Sequence, residues 1–320
     1  MSDGTFSAAT SPSATEPLAL VTMPQRPLGA RDVRIKVRAI GVNPVDWKMR
    51  SGGPLRFAHR FVGPSGPLVV GVDFAGDVVE AGSAADLKRG TRVVGATNFA
   101  RKQLGSYATE VVVRDDQCAV LPDAVSYDVA ACLPVPGATM LAALGSAGAP
   151  PAGSRVLVLG ASGGVGLTAL QISRALKLTA VGVCSSRNTA VVERFGATAV
   201  DYTKGDPLEA ARAHGPYDLI LHAVGSATYP LDRCRPLLSS RGVVVLVVVR
   251  AADVPSFTFS RRVAKVLGKP ERTTLEPLVA WAASGALEPI IEARFPLAEA
   301  ERAHQVSKTG KVVGKLLLVP

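Results

Sequence analysis

The segment RVLVLGASGGVGLTALQISRALK, residues 155–177, restricts the fold more than any other part of the chain. A short apolar strand leads into a turn that contains Gly160, Gly163 and Gly166, and a helix with apolar residues every three or four positions follows. Glycines at this spacing allow a tight turn, a close approach of a diphosphate to the backbone, and close packing of the helix on the sheet. The unit therefore predicts a dinucleotide-binding βαβ fold, and a tight turn without a ligand is the alternative.

The start of the helix after this turn is a predicted anion site. Backbone N–H groups in the first turn of a helix have no intrahelical acceptor, and the helix dipole places partial positive charge there. Ser162, Gly164 and Val165, together with the three glycines above, are therefore expected to bind the diphosphate of the cofactor.

The stretch VGVCSSRN, residues 181–188, ends the second predicted strand of this unit without the acidic residue that binds the ribose 2′-hydroxyl of NAD. No Asp or Glu occurs between residues 177 and 192. Ser185, Ser186 and Arg187 offer hydroxyl and guanidinium donors instead, and Tyr202 at the end of the next strand can add its phenol. These donors suit a 2′-phosphate, so the sequence predicts NADPH over NADH. The alternative is that Arg187 only caps the next helix or is solvated.

Two regions of different character divide the chain of 320 residues, a length that itself favours two domains. From about residue 17 to 120, short strands alternate with Gly and Pro turns, and strands are predicted at 32–42, 74–82, 90–96 and 107–114. From 154 to about 267, apolar strands alternate with helices, the first running to Lys177 and the second over 188–195, which predicts a parallel sheet covered on both faces. A helix over 273–287 and a last strand follow.

Composition and charge exclude several classes of protein. The chain is 48% hydrophobic, which suits a globular protein, and its longest apolar run, residues 243–249, is much shorter than the ~20 residues of a membrane span. The net charge is +10, but the basic residues are dispersed, so no nucleic-acid binding is expected. The four cysteines lack paired spacing and are expected to be buried free thiols. The first 17 residues show no targeting signal and are expected to be flexible, so a cytoplasmic protein is expected.

Several ordered motifs resemble those of the zinc-independent quinone oxidoreductases of the medium-chain dehydrogenase/reductase superfamily, over about residues 18–320. They are AIGVNPVDWKMRSG, GVDFAGDVVEAG, GTRVVGA, ACLPVPGATMLAAL, GASGGVG, FPLAEAERAHQ and GKLLLVP, in that order along the chain. The NPVDWK and CSSRN versions are most similar to the plant chloroplast-envelope type, an enone reductase.

This resemblance implies an α/β protein in which a GroES-like β-rich domain carries an inserted Rossmann domain with a doubly wound parallel sheet. The implied boundaries are 1–134 for the first part of the GroES-like domain, 135–268 for the Rossmann NADPH-binding domain, and 269–320 for the return to the catalytic domain. It also implies reduction of quinones or of the C=C bond of α,β-unsaturated carbonyl compounds by NADPH, and a homodimer that pairs near the 243–249 strand.

No metal is expected, because Asn43 stands where related alcohol dehydrogenases carry Cys, and Gly71, Val72 and Asp73 replace their Gly-His-Glu motif. By resemblance, Asn43 and Thr139 lie beside the nicotinamide ring. Lys48 stands where many relatives have Tyr and could stabilise the developing oxyanion or donate a proton. Its alternatives are a salt bridge with Asp46, which is expected to be structural, and solvent exposure.

Two other functions stay open. The chain could reduce an enoyl-CoA or a carrier-bound enoyl thioester, because Arg56, Arg60, Arg101 and Lys102 lie in loops expected to border the cleft. It could also bind NADPH without turnover, as some relatives of this family do. His59 lies in the variable loop, where it lines the substrate entrance or is a surface histidine.

Overall fold

A computed structural model describes residues 4–11, 16–51, 57, 59, 61–266 and 268–320. The chain divides into two compact units. The first contains Met1–Val135, Pro270–Ala283 and Ile291–Pro320, and the second contains Pro136–Lys269 and Ser284–Ile290. The domain boundaries drawn from the resemblance stay a prediction, and they differ from this division in leaving Ser284–Ile290 outside the second unit.

The first unit is built on two β-sheets. Strands β15, β16, β3, β5, β6 and β8 are hydrogen-bonded in that order with β7 also paired to β3, and a small second sheet has the order β2-β1-β4. The strands are β1 Thr5–Ser11, β2 Ala19–Pro24, β3 Asp32–Val42, β4 Leu68–Val69, β5 Asp73–Ala81, β6 Arg92–Ala96, β7 Glu110–Arg114, β8 Cys118–Val120, β15 Ile291–Pro296 and β16 Lys315–Val319; the helices are α1 Pro44–Arg50, α2 Tyr127–Ala131, α9 Arg272–Ala283 and α10 Ala300–Lys308.

Strand β3 organises this unit. Its sequence DVRIKVRAIGV alternates at its start and becomes apolar at its end, where residues 39–42 are all buried, and it pairs with β16, β5 and β7. Gly41 lies opposite Asp73, and Val42 lies opposite Leu316. The end of β3 therefore meets the starts of β5 and β16, and the polar residues at these three strand ends lie close together.

The expectation that the first 17 residues are flexible is wrong for β1. Thr5–Ser11 pairs with β2 in antiparallel register, and Ala8 and Ala9 are fully buried. The Ala9 N–H donates to the Tyr107 carbonyl (2.8 Å) and the Thr109 N–H donates to the Ser7 carbonyl (2.8 Å). Because these partners lie about a hundred residues away, nothing in the local Ser/Thr/Ala-rich composition indicates the strand.

The second unit is a six-stranded parallel sheet with the order β11-β10-β9-β12-β13-β14. This order, in which the chain starts in the middle and moves out to both sides, is that of the doubly wound dinucleotide-binding fold. The strands are β9 Arg155–Leu159, β10 Thr179–Cys184, β11 Thr198–Asp201, β12 Tyr217–His222, β13 Leu238–Leu246 and β14 Val263–Lys265; the helices are α3 Pro134–Ser146, α4 Gly164–Ala175, α5 Thr189–Arg194, α6 Pro207–Arg212, α7 Leu231–Cys234 and α8 Val254–Phe259.

Several element bounds differ from the sequence prediction, among them the ends of α4, α9 and β13. Helix α4 stops at Ala175 rather than at Lys177, because Lys177 adopts the left-handed conformation (φ 57°) and the Leu178 N–H closes back on the Ser173 carbonyl at 2.8 Å. Helix α9 ends at Ala283, just before Gly285 with φ 74°. Strand β13 ends at Leu246, within the apolar run 243–249, and β14 is the outermost strand beside it.

Candidate functional site

The glycines of the turn after β9 have three different environments. Gly160 has φ +91°, in the left-handed region that favours glycine. A Cβ on Gly166 would lie 2.3 Å from the Gly160 carbonyl oxygen, so α4 packs on the turn at a distance that only glycine allows. Among the described residues, a Cβ on Gly163 would meet nothing nearer than 3.7 Å, so open space lies in front of this glycine. The turn thus has the shape of a diphosphate cradle.

The helix start beside this space is ready to bind an anion. Helix α4 begins at Gly164, with Gly163 as its N-cap, and Val165 lies in its first turn, where N–H groups have no intrahelical acceptor. Ser162 Oγ accepts a hydrogen bond from Asn188 Nδ2 (2.9 Å). This bond joins the turn after β9 to the turn after β10, and Asn188 is a supporting residue that the sequence analysis did not single out.

The predicted 2′-phosphate donors lie together at the carboxyl ends of β10 and β11. These strands are parallel neighbours with Cys184 opposite Asp201, so the residues that follow them share one edge of the sheet. Ser185 is partly buried, Ser186 and Arg187 are exposed in a short 3-10 turn, and Tyr202 is 50% exposed. The edge therefore offers hydroxyl, guanidinium and phenol groups to solvent.

A carboxylate also lies at this edge, and the sequence analysis missed it. Ser186 Oγ is 2.5 Å from Asp201 Oδ2 and 2.5 Å from Thr203 Oγ1, and Thr203 donates to Asp201 Oδ1 from its N–H (2.9 Å) and its hydroxyl (2.7 Å). The bond from Ser186, followed by those from Thr203, lowers the pKa of Asp201 below its usual value. Residues 177–192 contain no acid, and the acid that reaches Ser186 belongs to the next strand, in the stretch VDYTKGD.

Further along the same sheet edge, a buried histidine ends β12. His222 is fully buried, its Nε2 lies 2.8 Å from the Tyr229 carbonyl oxygen, and burial lowers its pKa. The loops after β12 and β13 are joined by Ser226 Oγ, which donates to Asp253 Oδ1 (2.6 Å). In a doubly wound sheet, the ligand binds at the carboxyl edge, so the loops after β12 and β13 are expected to border the ligand site.

Asn43, the first predicted catalytic residue, is buried in a charged cluster of the first unit. Its Oδ1 accepts from Lys315 Nζ (2.6 Å), and its Nδ2 donates to Asp73 Oδ2 (2.9 Å). Lys315 Nζ also donates to the Val42 carbonyl (3.0 Å) and lies 3.4 Å from Asp73 Oδ2. Burial raises the pKa of Asp73. The Asn43 amide is therefore held rigidly, and the role of Asn43 beside the nicotinamide stays a prediction.

A second buried carboxyl group, Asp46, holds the start of α1. Its Oδ2 accepts from the Asn43 N–H (2.7 Å) and from the Tyr107 hydroxyl (3.3 Å), and His304 Nε2 lies 3.1 Å from that hydroxyl. Burial raises the pKa of Asp46 to about 7 and lowers that of His304 to about 4. Asp46 therefore joins α1 to α10, as expected of a structural residue.

Lys48 stands on α1 and is half-buried. Its Nζ lies 5.5 Å from the centre of the Trp47 ring, and burial lowers its pKa. The alternative of a salt bridge with Asp46 finds no support, because the described contacts of Asp46 go to Asn43 and Tyr107 and no described carboxylate pairs with Lys48. Helix α1 is fixed to α10 on either side of Lys48, where Trp47 Nε1 donates to Ser307 Oγ (3.2 Å) and Arg50 pairs with Glu301.

The remaining predicted residues have varied positions. Thr139 is buried on α3 of the second unit. His59 is buried at 6% exposure with its ring 5.9 Å from that of Phe99, so the surface alternative for His59 is wrong. Arg101 pairs with Asp116 (3.0 Å) and Glu271 (3.3 Å), and Lys102 is exposed. Arg56 and Arg60 lie outside the described residues.

The donor set at the alcohol dehydrogenase zinc position does not fit a metal ion. Asn43 and Val72 offer no thiolate or imidazole, and the Lys315 ammonium already lies against both Asn43 and Asp73. A divalent cation would have to share this buried space with a like charge. Within the described part of the chain, no group of three or more His, Cys, Asp or Glu residues is arranged to hold a metal. The four cysteines are buried free thiols, as predicted.

A cavity of about 340 Å³ in the first unit does not belong to the predicted site. It is lined by arginines 26, 31, 101 and 114 and by Asp32, at the start of β3. Asn43 follows the other end of this 11-residue strand, roughly 33 Å away at ~3 Å per residue. No helix among the described residues is long and apolar enough to cross a membrane.

A parallel sheet in this order, with a glycine cradle and exposed hydrogen-bond donors at its carboxyl edge, defines a dinucleotide-binding protein. Comparison with known protein families agrees with this class. Residues 29–123 match the alcohol dehydrogenase GroES-like domain family, and residues 195–318 match the zinc-binding dehydrogenase family.

Relatives align along almost the whole chain. The chloroplast envelope quinone oxidoreductase homolog of Arabidopsis thaliana is 30% identical over 91% of this chain and 90% of its own length. The trans-enoyl reductase pgmF of Aspergillus terreus is 29% identical over 91% and 87%. The structure of the quinone oxidoreductase from Coxiella burnetii superposes with a TM-score of 0.88 at 28% identity over 99% of both chains.

The chain therefore belongs to the quinone oxidoreductase family of the medium-chain dehydrogenase/reductase superfamily. The predicted fold class, a GroES-like β-rich domain with a Rossmann domain, is confirmed. The protein is an oxidoreductase, and the dinucleotide is a nicotinamide nucleotide.

Proposed function

We propose that this protein is a zinc-independent reductase that uses NADPH to reduce quinones or the C=C bond of α,β-unsaturated carbonyl compounds. The observation that carries the proposal is the carboxyl edge of the second unit. There, the open glycine cradle adjoins a turn that presents two serines and Arg187, with Tyr202 on the next strand. Hydroxyl and guanidinium donors in this position favour a 2′-phosphorylated cofactor.

Zinc independence is supported by the buried cluster around Asn43. Lys315 brings a fixed positive charge to Asn43 Oδ1 and Asp73 Oδ2, the position at which a metal alcohol dehydrogenase binds its ion. Polarisation of a substrate oxygen must then come from hydrogen-bond donors or from a side-chain cation. A conjugated carbonyl suits such a site, because its β-carbon accepts hydride without a metal-bound oxygen.

Lys48 is the side chain that we propose for this role. Bound NADPH supplies a hydride to the β-carbon of the acceptor. The Lys48 ammonium stabilises the negative charge that develops on the substrate oxygen, or donates the proton that completes the reduction. Its half-buried position on α1, with a lowered pKa and no carboxylate partner among the described residues, makes its proton easier to release than that of an exposed lysine. Asn43 and Thr139 are proposed to position the nicotinamide.

The test is a turnover assay with purified protein and NADPH. Loss of the reduced nicotinamide absorbance is followed with a panel of quinones, alkyl enones and crotonyl-CoA. We expect consumption with a quinone or an enone and a lower rate with NADH. Binding of NADPH without consumption by any acceptor would contradict the proposal and favour a non-catalytic protein.

Lys48→Met tests the catalytic role. General acid–base groups contribute about a hundredfold or more to turnover, so we expect a loss of that size at saturating NADPH and enone. Lys36→Met, at an exposed position on β3, is the matched control and should keep wild-type turnover. Equal turnover in the two variants would remove Lys48 from the mechanism.

An enoyl thioester reductase is the second candidate, and it is favoured by the similarity to the Aspergillus trans-enoyl reductase. The structure weakens one of its supports, because Arg101 is already paired with Asp116 and Glu271. Consumption of NADPH with crotonyl-CoA but with no free enone would select this function. The homodimer and the cytoplasmic location stay predictions.

A further inference from the structure

Ser186, Asp201 and Thr203 form a hydrogen-bonded group at the edge where the 2′-phosphate of NADPH is proposed to bind. We infer that Asp201 opposes the 2′-phosphate of NADPH by holding the hydroxyl of Ser186 and by placing a negative charge next to it, so that Asp201 limits the preference for NADPH over NADH. The inference rests on the proposed NADPH function.

The hydroxyl hydrogen of Ser186 is already used within this group. Ser186 Oγ lies 2.5 Å from both Asp201 Oδ2 and Thr203 Oγ1, and Thr203 Oγ1 donates to Asp201 Oδ1 at 2.7 Å. Each hydroxyl has one hydrogen. Whichever hydroxyl donates in the contact between them, the Ser186 hydrogen points to Asp201 or to Thr203. Ser186 must therefore give up a bond within this group before it can donate to a phosphate.

The negative charge of Asp201 also opposes a bound phosphate. A phosphate oxygen that accepts from Ser186 would lie about 3 Å from its Oγ, so the phosphate and the Asp201 carboxylate would be roughly 6 Å apart. A dianion and a carboxylate at that separation in water repel each other enough to change a dissociation constant about tenfold. Lys204 Nζ, 3.9 Å from Asp201, offsets this repulsion only in part, because the Lys204 side chain is 79% exposed and its charge is screened by solvent.

The substitution Asp201→Asn removes the charge and the acceptor for Ser186 while it can keep the bonds that hold the turn. Asp201 Oδ1 accepts from the Thr203 N–H and hydroxyl, whereas Oδ2 faces Ser186. In Asp201→Asn, the amide oxygen can keep the Thr203 bonds while the amide nitrogen takes the place of Oδ2 and donates to Ser186. The Ser186 hydrogen is then no longer held by a carboxylate, only the neutral Thr203 oxygen competes for it, and the charge is gone.

The experiment measures binding of adenosine 2′,5′-bisphosphate and of 5′-AMP by calorimetry at low salt and pH 7.5, without any acceptor. We expect Asp201→Asn to bind the bisphosphate about tenfold more tightly and to change 5′-AMP affinity less than twofold. Glu209→Gln on α6 removes the same charge at an exposed position paired with Arg212 and is the matched control. An unchanged or weaker affinity for the bisphosphate in Asp201→Asn, or an equal gain in Glu209→Gln, would overturn the inference.

A double-mutant cycle tests the hydroxyl independently. Ser186→Ala should weaken bisphosphate binding less than twofold in the wild type, where a carboxylate holds the hydroxyl, and several-fold in the Asp201→Asn background, where only the neutral Thr203 oxygen competes for its hydrogen. Equal effects in both backgrounds would refute the hydroxyl step. Should the wild type bind NADPH and the bisphosphate no better than NADH and 5′-AMP, the proposed NADPH function itself would be wrong. Tight bisphosphate binding with no response to Asp201→Asn would refute the inference alone.

Discussion

Replacing Lys315 by Met is expected to destabilise the first unit strongly. The Lys315 ammonium is 5% exposed and Asp73 is fully buried, and the ammonium also donates to the Val42 carbonyl and to Asn43. Methionine is of similar length but leaves the Asp73 carboxylate without its cation. Breaking a buried ion pair in this way costs about 3–5 kcal/mol, which is a large fraction of the ~5–15 kcal/mol that stabilises an ordinary domain.

Urea unfolding followed by tryptophan fluorescence measures this loss. The chain has two tryptophans, Trp47 and Trp281, and both belong to the first unit. The transition midpoint should fall while its slope stays constant. Asp73→Asn combined with Lys315→Met should recover much of the loss, because no unpaired charge then remains buried.

The pH dependence of the stability loss is a second test of the Lys315–Asp73 pair. Burial already holds the pKa of Asp73 above its ordinary value, and loss of Lys315 should raise it further. The folded variant then binds a proton more tightly than the unfolded chain, so its stability deficit should shrink as pH falls through that raised pKa and grow as pH rises. A loss below 1 kcal/mol in Lys315→Met, or a deficit independent of pH, would refute the assignment of Lys315 and Asp73 as a coupled buried pair.

Three further perturbations have expected outcomes. Gly163→Ala should weaken NADPH binding at least tenfold with little change in the melting temperature. Gly166→Ala should instead destabilise the second unit by about 1–3 kcal/mol, because its Cβ would meet the Gly160 carbonyl. Calorimetry measures the loss of binding, and thermal melting measures the loss of stability. Since the pKa of Asp46 is raised to about 7, the stability of the wild type relative to Asp46→Asn should decrease as pH rises from about 4 to 7, and a stability difference that does not depend on pH would rule this titration out. Arg187→Ala should raise KM for NADPH more than tenfold and change KM for NADH little; unchanged values for both cofactors would contradict a 2′-phosphate contact.

The local parts of the predicted cofactor site follow from the sequence alone. The glycine turn, the helix start and the donors after β10 lie within about thirty consecutive residues, and the backbone geometry of one strand–turn–helix unit determines how they face. Strand β3 was predicted at its observed bounds, because its alternation is local. The ends of elements were harder to predict. Helix α4 ends at a left-handed lysine, Lys177, and not at the glycine that usually marks such an end in a sequence.

Tertiary structure alone decided which charges meet. Asp201 reaches Ser186 only because β11 lies parallel beside β10. Lys315 reaches Asn43, 272 positions away, because β16 pairs with the end of β3. Periodicity and turn chemistry report on neighbours within a few residues, whereas such contacts depend on strand order and register, which are set by packing of the whole sheet. The class of cofactor could therefore be predicted from the chain, but the contact of Asp201 with Ser186 and the buried cation at the zinc position could not.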